Sequence, residues 1–264
     1  MPVSPSAAGW QVASATTIGS FHVREHLPNQ DAVQTWAADD GSAAIAVVAD
    51  GHGHPMHFRS GTGSQVAATR TLEVLRAALP EVDPRAAAAE VVELWRDDVL
   101  AHAQAHPMRS DELRRGPLVP YGTTLVAIAV TGTHLVVLQI GDGDAVLARA
   151  SGRAHRPVVD DPALDGVHTS SLCQPDPISS LRTAVVALDD GERGNQVTLA
   201  YVATDGLGKA RVDPASWWRT TGTELASTAR AGGIDAVRAD LPRRVAEPAQ
   251  AGGDDTTIAV VART

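Results

Sequence analysis

Apolar positions along the chain follow two rhythms, one of strands and one of helices. Short runs of small and β-branched residues bounded by turn formers, "WQVASATTI" (10–18) and "AAIAVVA" (43–49), predict strands. Five further β-like runs crowd the later chain: "TTLVAIAVTG", "HLVVLQIGDGDAVLA", "LRTAVVAL", "QVTLAYVATDG" and "TTIAVVA". In "GSQVAATRTLEVLRAAL" (63–79), Val66, Thr69, Leu72, Leu75 and Leu79 form one helical stripe that stops at Pro80. "PRAAAAEVVELWRDDVLAHAQAH" (84–106) predicts a second amphipathic helix, with Pro84 suited to its first turn. Two more helical segments, 213–230 and 234–246, precede the last strand. Strands grouped with helix pairs between them predict α+β layers, not an alternating parallel sheet. Residues 152–178, with four prolines and few apolar positions, predict a long loop of the functional or mobile kind. The Pro/Ser-rich residues 1–8 predict a disordered start. No linker divides 9–264, which reads as a single domain.

Composition and charge narrow what such a domain does. A length of 264 residues suits one large domain. Hydrophobic content of 44% and charged content of 20% mark a folded globular chain, not a disordered one. No apolar run approaches the ~20 residues that cross a bilayer, so no membrane association is expected. No Lys or Arg precedes Arg24, so the start lacks the charged region of a signal peptide. Cys173 is the only cysteine, which excludes an internal disulfide and fits a cytoplasmic protein. A net charge of −9 argues against a nucleic-acid partner, because phosphate backbones demand a basic face. The same charge leaves carboxylates available for divalent cations.

Those carboxylates stand in particular places. Six Asp-Gly pairs occur, and a lone pair is ordinarily a turn. Asp50, Asp142 and Asp205 differ in ending long apolar strands: "AIAVVAD", "LVVLQIGD" and "TLAYVATD". Asp254-Asp255 opens the last strand. Carboxylates delivered to one sheet edge repel one another unless cations lie between them. All-oxygen ligation favours Mg²⁺ or Mn²⁺ over Zn²⁺.

The ordered set "NQDA" (29–32), "VVADGHGH" (47–54), "YGTTLVAIAV" (121–130), "VLQIGDGDAVLA" (137–148), "VATDGLG" (202–208) and "DDTTIAVV" (254–261) resembles the metal-dependent serine/threonine protein phosphatases of type 2C, in a divergent bacterial branch. The resemblance spans residues 10–262. It implies a four-layer α-β-β-α sandwich with two central, mainly antiparallel sheets and a metal centre at one sheet edge. It also implies two Mn²⁺ or Mg²⁺ ions per chain, held by Asp50, the Gly51 carbonyl, Asp205 and Asp254. Asp142 matches a carboxylate that helps hold a third, weaker ion. Asp31 matches the acidic position that orients the attacking water. The implied reaction is hydrolysis of phosphoserine and phosphothreonine in proteins by a metal-bridged water or hydroxide, acting between two ions about 3.5–4 Å apart. His52, directly after the ligating pair, is the candidate general acid for the leaving alkoxide.

The chain departs from the family pattern at three places. Gln30 replaces an acidic residue of the usual motif, and His26 stands where the phosphate-binding arginine normally lies. Arg24 and Arg59 are the candidates to replace it. Lys209, the only lysine, stands four residues after Asp205 where many members carry Asp, so an ammonium would oppose a third cation there. The implied partners are a phosphorylated protein substrate and a cognate serine/threonine kinase, with the chain acting as a monomer. Two alternatives stay open: a phosphatase of small phosphorylated metabolites, and a catalytically silent module that binds phosphoproteins.

Overall fold

The run "AIAVVA" (β3, Ala44–Ala49) is apolar at every position because both of its faces are covered. Ile45, Val47 and Ala49 pack with helices α2 (Ser60–Ala77) and α3 (Pro84–Ala105). Ala44, Ala46 and Val48 face a second core that lies between two sheets. This alternation is the period-2 geometry of a strand. It recurs in β4 (Leu125–Val130), where Leu125, Ala127 and Ala129 face the helices and Val126, Ile128 and Val130 face the other sheet.

The structure, a computed structural model, describes residues 9–264 apart from 111, 113, 162–168, 210, 212, 214 and 215. Among the described residues, one sheet orders as β2 (Ala32–Ala37), β3, β4, β5 (His134–Ile140) and β8 (Arg182–Ala187). The other orders as β1 (Trp10–Thr17), β10 (Thr256–Arg263), β9 (Val197–Ala203), β6 (Asp144–Arg149) and β7 (Ala154–His155). Every pairing is antiparallel. The helix run α5 (Trp217–Gly252) covers the second sheet through Leu225, Val237, Leu241 and Val245. The layers are therefore α2/α3, sheet, sheet, α5, the four-layer sandwich implied by the resemblance.

Several elements differ from the sequence pattern for identifiable reasons. The edge strand β2 ("AVQTWA") is half-buried over most of its length and shows no clean apolar face, so its sequence does not announce it. The predicted segments 213–230 and 234–246 form one run that begins at Trp217 and breaks at Gly232 and Gly233. Gly233 takes φ +68°, which glycine adopts readily. Helices α1 (Ser20–Arg24) and α4 (Gly206–Lys209) are too short to show a period. The predicted loop 152–178 contains β7, and its residues 162–168 lie outside the described residues, as does the predicted disordered start 1–8.

Candidate metal centre

Strand β3 delivers Asp50 to the sheet edge, and the threonine pair of "GTT" fixes its backbone there. Thr124 donates its N–H to the Asp50 carbonyl at 2.9 Å and accepts the Asp50 N–H on its hydroxyl at 3.2 Å. The Thr123 hydroxyl donates to the same carbonyl at 2.9 Å. Gly51 follows, buried in a bridge to Thr123, where an added Cβ would lie 2.7 Å from the Gln30 carbonyl. No larger residue fits that approach.

Asp205 arrives from the end of β9 and caps the single turn of α4, whose Gly208 and Lys209 N–H groups donate to its carbonyl at 2.8 and 3.0 Å. Gly206 packs so closely on the start of β10 that a Cβ would meet the Asp255 carbonyl at 2.0 Å. This contact sets Asp205 beside Asp254. The adjacent pair then divides its labour. Asp254 faces the cleft, whereas Asp255 is buried and accepts N–H groups from Gly19 (2.7 Å) and Gln30 (2.6 Å) and contacts His22 Nδ1 at 2.8 Å. Asp255 therefore fastens segment 19–30 to β10. Asp142 sits in the turn between β5 and β6, exposed at the cleft, with that turn pinned by Gln139 donating to the Gly143 carbonyl.

Asp50, Asp142, Asp205 and Asp254 thus line one cleft of about 840 Å³. Asp31 is not on its wall. Its Oδ2 accepts the hydroxyls of Thr204 (2.8 Å) and Thr257 (2.7 Å) behind the cleft. Burial is the main cause that raises Asp31 to about 8, with Asp255 and Asp254 adding repulsion against the two hydroxyl bonds. Burial likewise drives Asp50 well above the usual carboxylate range, helped by the charges of Asp31, Asp205 and Asp254. Asp205 rises to about 6 from burial and the charge of Asp142, with Lys209 opposing.

His52, His54, Met56 and His57 form another wall. The rings of His52 and His57 meet edge to face at 4.8 Å. Burial, then the charges of His57 and Lys209, lowers His52 to about 4, so its imidazole is neutral near pH 7. The two candidate phosphate-binding arginines lie elsewhere. Arg24 is exposed at the end of α1 with its guanidinium over the Phe21 ring, and it is not among the residues lining the cleft. Arg59 donates to the Tyr121 hydroxyl and the His106 carbonyl, each at 2.7 Å. Arg115 does line the cleft, where its guanidinium lies 3.5 Å from Met56 Sδ. It comes from "MRSDELRRGP" (108–117), whose clustered arginines were the signal available in the sequence.

Lys209 reaches across the acidic floor. Its Nζ lies 2.8 Å from Asp205 Oδ2 and 2.5 Å from Asp254 Oδ2. It therefore stands on these two carboxylates. Among the described residues, no three His, Cys, Asp or Glu side chains close around a point as a metal would require. The donor chemistry nevertheless fits hard divalent cations. Among the described residues, Asp31 Oδ1 and Asp205 Oδ1 are buried without a hydrogen-bond partner, which is costly for an acceptor that binds no cation. The cluster is oxygen-rich, crowded with like charge and open to solvent on one side.

A family model described as Protein phosphatase 2C matches residues 18–243. Among curated proteins, none matches by sequence. The S. agalactiae serine/threonine phosphatase superposes with a TM-score of 0.62 at 20% identity, covering 97% of this chain and 100% of that one. The catalytic domain of the serine/threonine protein phosphatase PstP, solved in complex with 2 manganese ions, gives 0.58 at 19% identity over 96% and 97%. PppA of Pseudomonas aeruginosa, described as a key regulatory component of T6SS, gives 0.57 at 18% identity over 97% and 99%. At these identities the superpositions speak for the fold, and the family match carries the rest. With that match spanning most of the sequence, the chain belongs to the protein phosphatase 2C family of metal-dependent serine/threonine protein phosphatases.

Proposed function

We propose that this protein hydrolyses phosphoserine and phosphothreonine in other proteins, using two Mn²⁺ or Mg²⁺ ions held in the acidic cleft. The observation that carries the reading is the arrival of Asp50, Asp142, Asp205 and Asp254 from different elements at one cleft. Asp50, the Gly51 carbonyl, Asp205 and Asp254 would hold the pair, and Asp142 offers a further oxygen. Bound there, such ions supply positive charge to the phosphoryl oxygens and acidify water. Asp31, held behind the cleft by the Thr204 and Thr257 hydroxyls, would act from beneath the ligating carboxylates to orient water. In the reaction a water oxygen forms a bond to phosphorus as the bond to the serine or threonine oxygen breaks. His52 is placed to give that leaving oxygen a proton. A phosphoryl dianion in the cleft favours protonation of this otherwise neutral imidazole. Arg115, rather than Arg24, is the arginine placed to bind phosphate or an acidic flank of the substrate.

The same reading takes residues 9–264 as one catalytic domain, supported by β1 pairing with β10 so that both ends of the described chain share a sheet. A monomer in the cytoplasm, opposing a serine/threonine kinase, completes it. The lone thiol of Cys173 and the lack of any described helix long and apolar enough to cross a membrane support that setting. Release of phosphate from a phosphothreonine peptide, from p-nitrophenyl phosphate and from a small sugar phosphate, each with and without Mn²⁺, tests the function. Metal-dependent turnover of the peptide is the expected result. Turnover of the sugar phosphate alone makes it a metabolite phosphatase, and none at all makes it a silent binder.

A further inference from the structure

The acidic floor already holds a cation, and that cation belongs to the chain. Lys209 Nζ bridges Oδ2 of Asp205 and Oδ2 of Asp254. The bridge is built and not incidental. The N–H of Lys209 donates to the Asp205 carbonyl, closing the helical turn that sets the two side chains on one face. Gly206 lets that turn press against the Asp255 carbonyl, which brings Asp254 within reach. No other lysine exists in the sequence, in which arginine supplies every other strongly basic side chain. A guanidinium is a broad planar fork, whereas an ammonium is a compact point charge that fits between two carboxylate oxygens.

Asp254 Oδ1 accepts the Asp255 N–H at 3.0 Å, which leaves Oδ2, the oxygen the ammonium holds, as the one Asp254 offers a metal. A divalent ion on that oxygen would sit about 2.0–2.6 Å from it, in the space of the ammonium, whichever oxygen of Asp205 it also takes. The two cations repel each other strongly at such separation. We propose that Lys209 is a tethered counter-ion that keeps the metal-free centre assembled and must swing away from Asp205 and Asp254 before a divalent ion can load that edge. The proposal rests on the metal-centre reading given under Proposed function. The half-exposed side chain has a route out, since it lies at the cleft and not beneath it. Metal affinity at this edge is then reduced by the fraction of molecules in which the ammonium is in place. The metal-free fold gains from the same contact, because three crowded carboxylates keep one positive charge among them.

Its uniqueness makes Lys209 easy to follow. Reductive methylation of the native protein with formaldehyde and a borohydride, read by peptide mass spectrometry, reports on one lysine, with the N-terminal amine as internal reference. Mg²⁺ should speed dimethylation of Lys209 about tenfold relative to the metal-free protein at matched ionic strength. Calorimetric titration with Mn²⁺ should show Lys209→Met binding about tenfold more tightly than the native chain, while its metal-free form melts at a lower temperature. Metal that binds the native protein without changing the Lys209 reaction rate, or while slowing it, overturns the proposal and leaves the metal centre standing. If neither the native protein nor Lys209→Met binds Mn²⁺, the metal-centre reading falls, and this proposal falls with it.

Discussion

Two arginines show how sequence position and spatial position part company at the scale of the residue. Arg24 lies near the motif "NQD" in the chain, yet it ends α1 with its guanidinium over Phe21. Arg115 lies some eighty residues away, in a segment with no helical or strand period, and reaches the cleft. Arg115→Ala should lower kcat/KM for a phosphothreonine peptide by roughly tenfold or more, the cost of losing a charged hydrogen-bond partner. Arg24→Ala should change it less than twofold. Steady-state kinetics on the two variants decides between them, and the reverse ranking would return Arg24 to the role first expected of it. The acidic positions were more legible. A carboxylate that ends an apolar strand has no packing reason to be there, and Asp50, Asp142 and Asp205 all reach one cleft. The motif resemblance favoured Asp254 over Asp255, and Asp254 lines the cleft; the residue pattern alone does not make that choice, because it depends on Gly19, His22 and Gln30 arriving from a distant segment.

Elements were legible in proportion to the contrast between their faces. Strands β3, β4, β9 and β10 are covered on both sides, so their apolar runs stand out. Helix α3 sets a buried stripe against a polar face. Helix α2 was legible as a helix, but its buried face runs through Ala67, Ala68, Thr71, Val74 and Leu75; of the expected stripe Leu75 alone is buried, because small residues, not the larger apolar ones, lie closest to the sheet. The edge strand β2 and the one-turn helices offer no such contrast. Segment 152–178 tests the functional meaning of an irregular element. Within it, Thr169 lines the cleft, and the Ser171 hydroxyl donates to the Thr123 carbonyl beside the Asp50 backbone. Shortening the segment within 157–166, while leaving Thr169–Ser171 intact, should raise KM for a phosphopeptide by several-fold. Hydrolysis of p-nitrophenyl phosphate should fall by less than twofold. A proportional loss on both substrates would assign the segment a purely structural part.

For the whole molecule, the buried carboxylates set how stability responds to acidity. Asp205 rises to about 6, Asp144 to about 7 and Asp31 to about 8, all chiefly through burial, even though Arg156 opposes the shift at Asp144 from 2.6 Å. Between the ordinary carboxylate value of 3.8 and these raised values, these three carboxyls hold more protons in the folded protein than in the unfolded chain, so they make it less stable as pH rises. His52, lowered to about 4, and His57, His102 and His155, also lowered by burial, act in the opposite sense, but only below their ordinary value of 6.5. Thermal melts of the metal-free protein near pH 7 and pH 9, at fixed ionic strength, should therefore show the lower Tm at the higher pH. Saturating Mg²⁺ should shrink or invert the difference, because the ions supply the positive charge that protons supply in acid. A metal-free protein more stable at the higher pH would mean that the repulsion among these groups is relieved in some other way. The metal centre depends most on Asp50, which burial and three neighbouring carboxylates make costly to keep charged. Its most direct test is calorimetric titration of Mn²⁺ into the native protein, Asp50→Asn and Asp39→Asn, with phosphothreonine-peptide turnover measured on the same samples. The native protein and Asp39→Asn should bind two ions and turn over alike, whereas Asp50→Asn should lose metal affinity and about 10²–10³-fold in kcat. Equal behaviour of Asp50→Asn and Asp39→Asn would contradict a metal centre at this cleft.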